Sequence, residues 1–182
     1  MQDALKKIED KHGNIDEWVA KELGYTQDEL RKALAAEQVD AVAMSLDQVK
    51  QDKAFVLGDQ TGIGKGRVVA AMLRYALRNN LSPIFVTHKP NLYGDIIRDL
   101  NDIGIREMLG RDVRVFMTNA GEEVPLDTDA VAWFEAKEQA KLDGEKAPPR
   151  EGVFLKSASG AKHKQQMDTI TTEQGVGTDK SF

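Results

Sequence analysis

The chain has 182 residues, 41% of them hydrophobic and 30% charged, with a formal net charge of -5. That length suits one domain with appendages better than two full domains, and the charge excludes a generally basic nucleic-acid surface while leaving room for a local basic groove. The absence of cysteine excludes disulfides, thiolate zinc sites and cysteine nucleophiles.

No run approaches the roughly 20 apolar residues of a membrane span. The polar start, Met1-Gln2-Asp3-Ala4-Leu5-Lys6-Lys7, lacks the apolar core of a secretory signal. A cytoplasmic protein with no membrane partner is expected. The three histidines, His12, His88 and His163, have no metal-ligand spacing, so no side-chain metal site is expected.

Residues 1–36 read as an N-terminal segment of short helices. Leu5 and Ile8, then Ile15, Trp18, Val19 and Leu23, recur at helical spacing, and Gly24 is a stop signal. Thr26-Gln27-Asp28-Glu29 has the pattern of a capping box ahead of Leu30, Ala33 and Leu34. Trp18 and Tyr25 read as packing residues rather than ligand stackers.

A longer amphipathic helix follows from Ala36 to about Lys50, with Val39, Val42, Ala43, Leu46 and Val49 on its buried side. Gln38 lies near its start. An amide presents a donor and an acceptor together, the pair that matches an adenine edge, although taken alone Gln38 also reads as an ordinary surface helix residue.

The central stretch is Ala54-Phe55-Val56-Leu57-Gly58-Asp59-Gln60-Thr61-Gly62-Ile63-Gly64-Lys65-Gly66-Arg67, an apolar run, a glycine-rich turn and the start of the helical pattern Val68-Val69-Ala70-Ala71-Met72-Leu73. Strand, loop and helix arrive in the order a phosphate-binding loop needs. Gly62 and Gly64 let backbone N–H groups turn inward at a helix start, where unpaired donors and the dipole favour an anion. Lys65 adds a mobile positive charge for the outer phosphates. The generic motif G-x-x-x-x-G-K-[ST] is departed from twice, by Asp59 at the first glycine and by Gly66 at the Ser/Thr position. The second departure removes the hydroxyl that ordinarily ligates magnesium, a role left to Thr61, another residue or water.

After Asn79-Asn80, Pro83-Ile84-Phe85-Val86-Thr87 reads as a second strand. His88-Lys89-Pro90-Asn91 then leads into a helix carrying Leu92, Ile96, Ile97 and Leu100 that ends near Gly104. Val113-Arg114-Val115-Phe116-Met117 reads as a third strand. Strands alternating with helices of these lengths predict an α/β fold of P-loop topology, with a parallel sheet flanked by helices. Beyond Asn119 come an acidic loop (Glu122, Glu123, Asp127, Asp129), a polar helix from about Ala130 to Leu142, a Pro148-Pro149 break and a short strand at Val153-Phe154-Leu155. Residues 157–182 are polar and aperiodic and predict a loosely ordered C-terminus.

The loop Gly58 to Arg67, including the glycine after its lysine, resembles the nucleotide loop of strawberry-notch-type superfamily-two helicases, including those in large phage and plasmid proteins. The likeness extends from Glu37-Gln38-Val39-Asp40-Ala41 through Ile84 to Tyr93 and on to Arg98-Asp99-Leu100-Asn101-Asp102-Ile103-Gly104. It implies an ATP-dependent motor on nucleic acid, DNA in the first instance. The implied partial RecA-like domain spans residues 37–156, with ATP and Mg2+ as cofactors.

By position, the resemblance makes Gln38 the adenine-sensing residue and the loop Asp59, Gln60, Thr61, Gly62, Ile63, Gly64, Lys65, Gly66 and Arg67 the nucleotide cradle, with Lys65 as the catalytic phosphate lysine. Thr87, His88 and Lys89 become the strand-contacting residues, although they also read as a polar strand-to-helix connection.

A helicase motor also needs an Asp-Glu pair at the end of a later core strand. Asp16-Glu17 and Asp28-Glu29 precede the loop, and Glu122-Glu123 reads as a solvated acidic loop. No room remains for a second motor domain with its arginine finger. The chain is therefore expected to be the N-terminal part of a motor, a truncated or naturally short relative, that binds nucleotide without turning it over. The alternative is a non-catalytic interaction module. A small-molecule kinase is disfavoured by Gly66.

Overall fold

The structure is a computed structural model that describes residues 2–58, 64–87, 92–105, 123–125, 128–156, 164–165 and 168. The elements in chain order are α1 (Gln2–His12), α2 (Ile15–Leu23), α3 (Gln27–Ala33), α4 (Ala36–Val49), α5 (Lys65–Arg78), α6 (Leu92–Asp102), β1 (Glu123–Pro125), α7 (Thr128–Leu142) and β2 (Phe154–Lys156). The chain divides into two compact units, one of Met1–Phe85 with Arg98–Gly110, the other of Val86–Ile97 with Arg111–Phe182.

In the first unit, local signals set the helix boundaries. Asn14 caps α2 by accepting a bond from the Glu17 N–H at 3.0 Å. The helix stops at Gly24, whose left-handed backbone (φ 68°) lets its own N–H and that of Tyr25 close on the last turn of carbonyls. The capping box ahead of α3 forms in both directions: the Glu29 N–H donates to Thr26 Oγ1 at 3.3 Å, and the Thr26 N–H donates to Glu29 Oε2 at 2.7 Å. The Thr26 N–H and then the Thr26 hydroxyl, which donates to the same Oε2 at 2.9 Å, hold the Glu29 carboxyl below its ordinary range.

Helix α4 is the hub, packing against α1, α2 and α5. Its inward face places Val39, Val42 and Leu46 beside Val19 and Leu23 of α2 in the core, completed by Leu30, Ile103 and Ile105. Trp18 is buried and stacks on His12 at 4.0 Å, so it is a packing residue.

The parallel sheet expected from the sequence is overturned. Among the described residues the protein is mostly helical, and its strands are β1 and β2, three residues each. They are antiparallel, with Glu123 opposite Lys156, Val124 opposite Leu155 and Pro125 opposite Phe154. The runs at 54–57 and 83–87 have no assigned secondary structure and enter no ladder. Val56 is 87% exposed, Ile84 68% and Val86 84%. Composition gives these runs strand character, but a strand exists only when a partner takes its N–H and C=O groups, and no local pattern encodes that pairing. The third expected strand, 113–117, lies outside the described residues.

In the second unit α7 follows β1, and Trp133, Phe134 and Phe154 form a ring cluster with centroids 5.4–5.7 Å apart. The Trp133 indole N–H donates to the Pro148 carbonyl at 3.1 Å. The Arg150 guanidinium lies 4.0 Å from the Phe154 ring centre and pairs with Glu123. That pair draws Glu123, expected in a solvated acidic loop, to the edge of the small sheet; Glu122 lies outside the described residues. Among the described residues no helix is long and apolar enough to cross a membrane.

Candidate functional site

The site is built where α5 begins. Gly64 is its N-cap, with a left-handed backbone (φ 72°, ψ 34°) that a side chain would strain. Its carbonyl accepts the first bond of the helix, from the Arg67 N–H at 3.0 Å. Lys65 is the first residue of α5, and the first turn contains no acidic residue. The positive end of the helix and the lysine are thus presented together, as anion binding requires. Asp59, Gln60, Thr61, Gly62 and Ile63 lie outside the described residues.

Gln38 is tied to the start of α5. It is the third residue of α4, and its Oε1 accepts a bond from the Ala35 N–H at 2.9 Å. Ala35 has no side-chain oxygen to return the bond, so half a capping box forms. The same amide donates from Nε2 to the Gly64 carbonyl at 3.3 Å, joining the start of α4 to the end of the phosphate loop across 26 residues. A β-carbon at position 64 would overlap that Nε2.

Arg67 serves as a brace. Nη1 donates to the Ala33 carbonyl at 3.0 Å, and Nη2 pairs with Asp102 Oδ2 at 2.7 Å. The closing turn of α6 is held from a second side by Arg74, a buried cation whose Nε donates to the Leu23 carbonyl at 2.8 Å and Nη1 to the Gly104 carbonyl at 3.1 Å. Its guanidinium centre stands 4.1 Å from the Tyr25 ring centre, and the Tyr25 hydroxyl donates to the Ile103 carbonyl. Burial pushes the Tyr25 phenol above its ordinary pKa, with Arg74 pulling the other way.

This bracing explains Gly66. A β-carbon there would run into the Asp99 carboxylate, whose Cγ lies 3.1 Å and Oδ1 3.9 Å from the place the β-carbon would take. The side chain of the generic motif's serine or threonine would have to displace the Asp99 carboxylate that reaches this place from α6. Oxygen is also the donor Mg2+ takes, and a nucleotide-borne Mg2+ needs only one or two protein carboxylates beside phosphate and water. Among the described residues no cluster of three or more ligating side chains exists. Asp99 carries no signal in the loop motif because it arrives from another helix; the sequence hint is a glycine at the hydroxyl position together with aspartates one turn apart at 99 and 102.

Thr87 is in the second unit, part-buried in a segment without assigned secondary structure, and His88 and Lys89 lie outside the described residues.

No curated protein and no solved structure matches the chain. A family model described as P-loop containing NTP hydrolase pore-1 matches residues 19–124, from within α2 through the phosphate loop to β1. With more than half its length matched and a lysine-bearing helix start at its centre, the chain belongs to the P-loop containing NTP hydrolase pore-1 family of nucleotide-binding proteins.

Proposed function

We propose that the chain is the ATP-binding part of a DNA-dependent motor of the helicase type, coupling nucleotide hydrolysis to movement on or remodelling of nucleic acid in its complete form. The observation that carries this reading is the bond from Gln38 to Gly64. It puts an amide suited to adenine against the end of the phosphate loop, where the base and phosphates of one nucleotide would have to be reached together.

In this reading α5 binds phosphate through its first N–H groups and Lys65, while Gly64 keeps the backbone close. Mg2+, when bound with the nucleotide, neutralises charge shared between the β- and γ-phosphates. Thr87, His88 and Lys89 would meet the nucleic-acid strand. Lys65 contacts phosphate in ground and transition states alike, so it contributes mainly binding.

Titration calorimetry with MgATP tests the reading. Lys65→Ala should lose one charge-assisted contact, about 1.5–3 kcal/mol or at least tenfold in affinity. Equal affinity for the two proteins would remove the phosphate-loop reading. Gln38→Ala should weaken ATP more than GTP; an equal loss would assign Gln38 to holding the helix starts alone. The 182-residue chain is expected to release no phosphate above background, with or without DNA, because its sequence supplies neither an Asp-Glu pair after a core strand nor an arginine finger, worth about 10³–10⁵ in rate. DNA-stimulated release that disappears in Lys65→Ala would show that this chain is catalytic by itself.

A further inference from the structure

We infer that Arg67 is a positioning residue of the nucleotide site rather than one of its phosphate ligands: paired with Asp102, it caps the start of α5 from outside and leaves the N–H donors of that helix to the ligand. The inference rests on the nucleotide-binding reading above. Helices α2 and α3 each begin with a side-chain oxygen, from Asn14 and Thr26, that accepts a backbone N–H of the first turn. Helix α5 has no such cap. An oxygen there would compete with phosphate for the same donors. The helix start still needs support, because Gly64 at the N-cap and Gly66 as the second residue give the backbone more freedom to fray than other residues would.

Arg67, the third residue of α5, supplies that support. Its Nη1 donates to the carbonyl of Ala33, the last residue of α3, at 3.0 Å, and its Nη2 meets Oδ2 of Asp102, the last residue of α6, at 2.7 Å. A guanidinium has donors only, so it cannot take up the N–H groups that a phosphate would use. The placement of the two charges argues for the pair. A cation in the first turn of α5 and an anion closing α6 both stand at helix ends whose dipoles disfavour them. Neither placement serves its own helix; together they join the two ends and offset both penalties.

An unpaired arginine in this turn would attract phosphate. With the Asp102 carboxylate against it, that attraction is largely cancelled beyond the pair itself. What Arg67 adds is order: the first turn of α5 is fixed before the ligand arrives, so binding does not bear the cost of ordering it. Asp102 is itself held, because just beyond it the Ile103 carbonyl takes the Tyr25 hydroxyl and the Gly104 carbonyl takes Arg74. The two roles for Arg67 predict opposite signs at Asp102. Loss of Asp102 would release a phosphate ligand and strengthen binding, whereas it removes the anchor of a positioning residue and weakens binding.

The test is calorimetric titration of MgATP into the wild-type chain, Arg67→Met, Asp102→Ala and the double variant, with denaturant unfolding of each. Each single variant should weaken binding about three- to fivefold, the scale of one partly exposed ion pair. The double variant should bind no more weakly than Arg67→Met, since Asp102 acts only through Arg67. Unchanged or tighter binding in Asp102→Ala, or a double loss equal to the product of the two single losses, would overturn the inference. A lowered unfolding midpoint with undiminished affinity would overturn it too, by making the pair a structural tie and nothing more. Arg67→Lys covers an Arg67→Met that fails to fold. The lysine keeps the charge but not the two-pronged reach, so it should recover only part of the loss. Affinity equal to wild type in Arg67→Lys would assign the effect to charge at the phosphate and overturn the inference. A wild-type chain that binds no MgATP would remove the nucleotide reading and this inference with it.

Discussion

Helices α4 and α7 have nearly the same length, 14 and 15 residues, yet they are held in opposite ways. Helix α4 buries Val39, Ala41, Val42, Ala43, Ser45 and Leu46 and touches three other helices, whereas α7 buries only Ala130. Along its length α7 is held mainly by an aromatic group: Trp133 and Phe134 set against Phe154, with Lys137 5.0 Å from the Trp133 ring centre and Arg150 over the same cluster. The adenine-reading role proposed for Gln38 needs a rigid support, and α4 provides it through burial along its length. Among the described residues helix α7 is held by that ring cluster and by its N-terminal turn, where Ala130 is buried beside β1 and Gly152, so the rest of its surface should be tolerant.

The largest test of that contrast is truncation of a leucine in each helix. Leu46 is 0% exposed, and Leu46→Ala should cost about 3 kcal/mol in denaturant unfolding; Leu142 is 80% exposed, and Leu142→Ala should cost under about 0.5 kcal/mol. Similar losses at the two sites would erase the distinction. Next in size, Trp133→Ala removes two ring contacts and the bond to Pro148, for about 2 kcal/mol. Hydrogen exchange should accelerate along residues 128–142 and remain unchanged along 36–49. Acceleration in both segments would show that α7 supports the hub.

The smallest effect concerns Asp40 on α4, whose carboxyl is raised above its ordinary pKa by burial and then by the charges of Asp16 and Glu37. A raised carboxyl holds its proton more tightly in the folded state than in the unfolded chain. Its contribution is full below the ordinary carboxylate pKa and is lost as pH rises through the higher folded value. Asp40→Asn should therefore stabilise the chain at pH 7, by less than about 0.5 kcal/mol because the group is largely solvated. The gain should vanish on acidification to about pH 3, below the ordinary aspartate value. A gain that persists in acid would mean that the amide stabilises through a new hydrogen bond.

The features that could be read from the sequence are those whose physics is local. Thr26 and Glu29 lie three residues apart, Gly24 acts on its own turn, and the periods of α4 and α5 lie within one helix each, so pattern and structure coincide there. The helix start at Lys65, behind Gly64, was legible for the same reason. The sheet was not, because Val56 and Ile84 have strand character with no information about a neighbour. Gln38 was legible as a candidate, but its bond to Gly64 was not, since it spans 26 residues. Asp99 was hidden for the same reason, and Gly66 appeared as a loss because the group occupying its space comes from another helix.

The guanidinium of Arg74 has a consequence for the order of events during synthesis. It joins the Leu23 carbonyl to the Gly104 carbonyl, so one cation serves the end of α2 and a segment about 80 residues further along the chain. A ribosome adding about 5–20 residues per second makes the helices through α5 roughly one to five seconds before residues 98–105 are made. During that interval Arg74 lacks one carbonyl, Tyr25 lacks the acceptor at Ile103, and the core lacks Ile103 and Ile105. The first unit is thus finished by the chain's return, and the nascent protein must hold an incomplete core in solution until that return occurs.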